Sequence, residues 1–119
     1  MSTPRPSVEP QQTAIANALE FMWTRHRPQI LERVAVVEAA AAAVAANNLS
    51  ASDREAARGA AHKLAGTLGM FNLARGTEIA RKLELAYSRE SAPPPASSGE
   101  LASAVAELRA MIENRKPGN

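Results

Sequence analysis

The sequence predicts an all-α fold, an up-down antiparallel four-helix bundle with an additional short N-terminal helix. Three observations carry that expectation. Apolar residues recur at alternating steps of three and four along most of the chain, as one face of a helix requires. Aromatics are only 3% of a chain that is 45% hydrophobic, so the core is built from Ala, Leu, Val and Ile, which suits helix packing better than a sheet sandwich. Short connections between the apolar runs make successive helices antiparallel neighbours. At 119 residues the chain has room for one such domain.

Residues 1–9 are Ser- and Pro-rich with little apolar content, and they read as a disordered tail. The helical domain is expected over 10–114, its four core helices over about 28–114. Ile15, Leu19 and Met22, with Phe21 and Trp23 beside them, predict a short amphipathic helix over 11–24. Phe21 and Trp23 are expected to dock it on the bundle. Arg27 and Pro28 break that pattern, and Pro suits the first turn of a new helix because its missing N–H has no partner there. The next helix therefore starts near Pro28, with Ile30, Val34, Val37, Ala41 and Val44 as its seam, and Asn47 and Asn48 stop it.

Ser52 followed by Glu55 has the spacing of a capping box and opens a third helix, whose seam is Ala57, Ala61, Leu64, Leu68 and Phe71. Asn72 supplies the turn before a fourth helix from Leu73 to about Arg89, carrying Ile79, Leu83 and Ala86 inward. Pro93, Pro94 and Pro95 make residues 90–98 a stiff, non-helical loop. Ser97 and Glu100 form a second capping-box spacing before the last helix, with Leu101, Val105, Leu108 and Ile112 inward and an end near Asn114. Residues 115–119 read as a frayed end.

Composition removes several function classes. The 14 Lys and Arg against 12 Asp and Glu leave a net charge of +2, and no basic run interleaved with aromatics is present to grip a phosphate backbone. Nucleic acid is not an expected partner. Without cysteine there is no disulfide scaffold, thiol catalysis or iron–sulfur site, and two histidines are too few for an expected metal site. No apolar stretch reaches the roughly 18–20 residues needed to cross a bilayer, and the N-terminus has no signal-like apolar segment. A cytoplasmic monomer is expected, with no membrane contact.

One face of the third helix is not explained by packing. At about 100° per residue, His62 lies about 140° from the direction of the apolar seam and points outward. Along that outer stripe stand Glu55, Gly59, His62, Gly66 and Gly69. A helical glycine costs about 1 kcal/mol relative to alanine, so three cost roughly 2–3 kcal/mol. Their arrangement around one imidazole strips the surrounding surface of side chains, where another protein can come within bonding distance of the ring.

Ala61-His62-Lys63-Leu64-Ala65-Gly66-Thr67-Leu68-Gly69 closely resembles the phosphorylation motif of histidine-containing phosphotransfer (HPt) domains. The resemblance covers roughly residues 28–114, including the four helices, Leu73 opening the fourth and the Leu83-Glu84 pair within it. It implies that His62 accepts a phosphoryl group from a receiver-domain phospho-aspartate and passes it to another receiver, without turnover of its own. The implied partners are receiver domains of response regulators or of a hybrid sensor histidine kinase. It further implies attack by Nε2, with Glu84 accepting the Nδ1 proton and orienting the ring, and with Mg²⁺ brought by the partner receiver rather than bound here. Family members commonly carry lysine three residues after the histidine; that position is Ala65, which leaves Arg58 and Lys63 as candidate cations for the phosphoryl oxygens. Thr67 stands at the usual small-hydroxyl position, and Asn72 where glycine is common. Gly59, Gly66 and Gly69 complete the expected partner surface.

Two functions are open on these residues: the phosphocarrier, and a degenerate relative that keeps the bundle and the docking face as an interaction module without phosphotransfer. Ala65 is the feature that keeps the second open. A bundle enclosing haem or metal needs inward ligands, and His62 faces outward. His26, between Arg25 and Arg27, reads as a solvent-facing or capping histidine. Arg75, Arg81, Lys82 and Arg89 read as a solvated face, with Lys82 or Arg81 available to attract an acidic receiver.

Overall fold

The first helix does not stop at Pro28. In the computed structural model, which describes residues 8–115, α1 runs unbroken from Val8 to Ala45 with Pro28 inside it, so the separate N-terminal brace and the second expected helix are one element. A mid-helix proline forfeits one backbone hydrogen bond and crowds the preceding turn, at a cost of about 3 kcal/mol. That cost is met because apolar groups on both sides of Pro28 share one core: Trp23 before it and Ile30, Val34 and Val37 after it are all buried. Pro28 and Thr24, whose carbonyl loses its helical donor, are both exposed. Val8 and Glu9, expected in the tail, are already helical; residues 1–7 and 116–119, the rest of the expected tail and frayed end, lie outside the described residues.

Three further helices follow: α2 (Ala51–Met70), α3 (Ala74–Tyr87) and α4 (Ser98–Glu113). The described residues contain no strand. The most extensive helix contact is α2 on α3; α1 packs on α2 and α4, and α3 on α4, which closes the up-down bundle. Most seam residues expected from periodicity are buried, with Leu64, Leu68, Leu83 and Leu108 inaccessible or nearly so, but Ile15 is exposed, and Tyr87 rather than the half-buried Ala86 takes the innermost place at the end of α3.

Both tight turns close in the same way. Asn47 (φ 54°) and Asn72 (φ 61°) adopt the left-handed conformation that asparagine tolerates better than most residues. The N–H groups of Asn48 and Leu73 donate to the carbonyls of Ala43 and Leu68, at 2.9 and 3.0 Å, completing a Schellman motif at each helix end.

Both expected capping boxes fail for local reasons. α2 starts earlier than expected, with Ser50 as its cap in extended conformation and its Oγ accepting from the Asp53 N–H at 3.0 Å. Ser52 is consequently inside the helix and Glu55 is released for another role. Before α4, a 3₁₀ turn over Pro95–Ser97 interrupts the loop expected to be wholly non-helical, and it holds Ser97 in helical rather than extended conformation. A capping side chain needs the extended backbone, and the Ser97 hydroxyl makes no cap bond.

Trp23 docks as expected, meeting Phe71 edge-on with ring centroids 5.1 Å apart. Phe21 does not; it is 65% exposed. Arg115, expected in the frayed end, is instead held against the bundle with 4% of its side chain accessible, its guanidinium 4.6 Å from the Trp23 ring and 2.9 Å from Glu20. Arg109 clamps α4 to α1 through two 2.6 Å bonds to Glu38.

Tyr87 is fully buried, and among the described residues its hydroxyl has no hydrogen-bond partner. Burial pushes the phenol up to about 12 from 10.0. The contribution of this group to stability is therefore intact below pH 10.0 and is lost as pH rises toward 12, where the unfolded chain ionises more readily than the native one. Tyr87→Phe removes an unsatisfied buried hydroxyl. It is expected to gain about 1 kcal/mol, a rise in Tm of a few degrees, and to lose this alkaline sensitivity in thermal melts; a clear fall in Tm contradicts it.

Candidate functional site

α2 carries His62 on the side away from the core, with 69% of its side chain accessible. The antiparallel α3 brings Glu84 alongside, because Leu83 and Tyr87 are buried and place Glu84 at the margin of the α2–α3 contact, 24% accessible. His62 Nδ1 and Glu84 Oε2 are 2.8 Å apart. A carboxylate oxygen accepts, so Nδ1 carries the proton and donates it, and the lone pair is left on Nε2.

Arg58 sits one turn before His62. Its Nε and Nη2 donate to the Glu55 carboxylate, with contacts of 3.0, 3.0 and 2.5 Å, while Nη1 lies 4.0 Å from the Glu84 oxygen that binds the imidazole. Hydrogen bonding to Arg58 holds the Glu55 carboxyl below its ordinary value, and the same bond raises the guanidinium. Four side chains from two helices thus form one chain of contacts, from Glu55 through Arg58 and Glu84 to His62.

The glycines leave the surface beside this chain bare. A Cβ on Gly59 or Gly66 would meet nothing within 4 Å, and one on Gly69 would touch only Thr77 Oγ1 at 3.5 Å. None is required by packing within the chain. Gly76 on α3 is the contrast: a Cβ there would stand 3.0 Å from Leu68 Cδ1, between α2 and α4.

A family model described as the Hpt domain matches residues 22–116, most of the chain. The chain belongs to the Hpt domain family. Protein RcaC of Microchaete diplosiphon is 39% identical over 66 residues, which are 56% of this chain and 10% of that protein. The match thus spans about a tenth of the length of the curated relative. No solved structure matches the chain.

Two positions of the motif in this Hpt domain do not share the open face with His62. Thr67 is not beside the imidazole; it is about 140° round the helix and lines a hollow with His26, Gln29, Arg33 and Met70, between α1 and α2. Ala65 is not on the open face, because α3 covers it: it is 4% exposed, and its carbonyl accepts from the Thr77 hydroxyl at 3.1 Å. A lysine at this position would have to leave along the α2–α3 seam. Lys63 is exposed and has no ion pair among the described residues. His26 is half-buried within the continuous α1 and caps nothing. Arg75 is engaged by Glu107 and Glu78, and Lys82 approaches Glu78 at 4.0 Å. Among the described residues, no three His, Cys, Asp or Glu side chains are grouped to hold a metal ion.

Sequence reasoning assigned Glu55 to a capping box with Ser52 and placed it on the outer stripe, and its pairing with Arg58 was missed. The available signal was its spacing: an acid three residues before a base on one helix is within ion-pair reach.

Proposed function

We propose that this Hpt domain is a histidine phosphocarrier in a multistep phosphorelay. The observation that supports it is the 2.8 Å contact of His62 Nδ1 with Glu84 on an otherwise open helix face. In the forward step the Nε2 lone pair attacks the phosphorus of a receiver phospho-aspartate. The bond from phosphorus to the aspartyl oxygen breaks, and its electron pair leaves with the aspartate as a free carboxylate. The proton remains on Nδ1, so the phosphorylated ring is cationic, and Glu84 offsets that charge. Onward transfer reverses these changes on a second receiver. Mg²⁺ belongs with the receiver and neutralises phosphoryl oxygens there; the chain's own parts are the nucleophile, its orientation and a surface open to docking.

The partners are accordingly receiver domains of response regulators or of a hybrid sensor kinase, met by a monomer in the cytoplasm. None of the described helices is long and apolar enough to cross a membrane. The domain is consumed and regenerated within the relay and has no turnover of its own. The test is incubation with a phosphorylated receiver, followed by hydrolysis of the labelled chain. Label lost in acid, retained in alkali and mapped to His62 is expected. Unlabelled chain, still binding that receiver, would favour the interaction module without phosphotransfer.

Glu84→Ala is expected to slow transfer about three- to tenfold without abolishing it, within the roughly 0.5–1.5 kcal/mol worth of an ordinary hydrogen bond. Single-turnover rates between about pH 6 and 8, where an imidazole ordinarily titrates, check this; rates equal to the parent throughout remove Glu84 from the site.

A further inference from the structure

We propose that Glu55 is a positioning residue that sets how strongly a phosphoryl group is held on His62, by competing with it for Arg58. The inference rests on His62 being the phosphoacceptor. Arg58 is three residues after Glu55 and four before His62, so both are its neighbours on one strip of α2. In the unmodified domain three contacts draw the guanidinium back toward Glu55, and only Nη1 faces the Glu84–His62 pair. The path forward is unobstructed, since Gly59 presents no side chain and a Cβ there would meet no atom within 4 Å.

A phosphoryl group on Nε2 places close to two negative charges one turn ahead of Arg58. The guanidinium can then serve the phosphoryl oxygens or the Glu55 carboxylate, and each bond to one weakens its hold on the other. Arg54, on the same helix, cannot readily take over, because it reaches the backbone carbonyls of Tyr87 and Arg89 at the end of α3. Glu55 consequently makes phospho-His62 less stable than Arg58 alone would leave it. A less stable phosphohistidine is more readily handed to the next receiver.

The test uses phosphoramidate, which phosphorylates histidine with release of ammonia, at fixed phosphoramidate and ammonium concentrations; ³¹P NMR reads the ratio of phosphorylated to free His62. Glu55→Gln is expected to raise that ratio about two- to fivefold, the range of an exposed ion pair. Arg58→Ala is expected to lower it by a similar factor. The double variant should match Arg58→Ala, because Glu55 acts through Arg58. An unchanged or lowered ratio in Glu55→Gln overturns the proposal, as does a Glu55→Gln effect that persists without Arg58, which would be direct repulsion of the phosphoryl group. The two readings fail separately. A parent chain that takes no phosphoryl group from either phosphoramidate or a receiver defeats the phosphocarrier function itself, whereas normal labelling with an unmoved Glu55→Gln ratio defeats only the role of Glu55.

Discussion

His62→Gln is expected to accept no phosphoryl group while keeping the helicity and, within a degree or two, the Tm of the parent chain. Glutamine retains an amide that can hydrogen-bond but has no nucleophilic lone pair equivalent to Nε2. Acceptance should therefore fall below detection rather than decline by a factor. Stability should hardly change because the imidazole is 69% accessible and its one side-chain partner among the described residues is the Glu84 carboxylate at the surface. Such surface substitutions usually lie within about 0.5 kcal/mol. Labelling by phosphoramidate and a circular-dichroism melt read the two halves. A phosphorylated glutamine variant would end the assignment of His62, and a large fall in Tm would mean that the His62–Glu84 bond holds the helix pair together.

Gly66→Leu separates docking from chemistry. Leucine is favoured over glycine in a helix by somewhat less than about 1 kcal/mol, and the position has open space for a Cβ, so stability should rise. Transfer from a phosphorylated receiver should nevertheless slow by about a hundredfold or more, because a branched side chain one turn from His62 keeps the donor from in-line approach, and misplacement by about 1 Å can cost that much. Phosphoramidate is small enough to pass, and its reaction should stay within a factor of about two. Receiver transfer at the parent rate would show that the glycine face is not where the partner seats. A loss with both donors would mean that leucine has disturbed the imidazole itself.

Periodicity made the buried seams legible, since Ala57, Ala61, Leu64, Leu68 and Phe71 needed only their spacing to be placed together, and each is buried. Pro28 was misleading because its local preference for a helix start competes with a tertiary effect that spacing does not reveal: Trp23 and Ile30 share a core only if the helix continues. Ser52 and Ser97 had the right side chains for capping, yet capping depends on the backbone angles of the cap residue, and neighbouring turns decided those. At the site, the outward direction of His62 followed from helical geometry alone. Glu84 did not: it stands 22 residues away on another helix, and only the family resemblance singled it out before the α2–α3 pairing brought the two groups to 2.8 Å. Thr67 shows the converse: it shares the motif with His62, yet it lines the hollow between α1 and α2 rather than the face of the imidazole.

The Asn72 turn also bears on the order of assembly. Glu55, Arg58, His62, Gly66 and Glu84 all belong to α2 and α3, a single helical hairpin whose turn is closed by its own backbone bonds. Bringing His62 to Glu84 closes a loop of 22 residues, whereas Arg109 reaches Glu38 across 71. Loop-closure entropy makes the longer closure costlier by about 1 kcal/mol, and short-range contacts of this kind favour rapid folding. The candidate site is thus a local part of the fold, formed by neighbouring stretches of chain, while α1 and α4 meet behind it from opposite ends of the sequence.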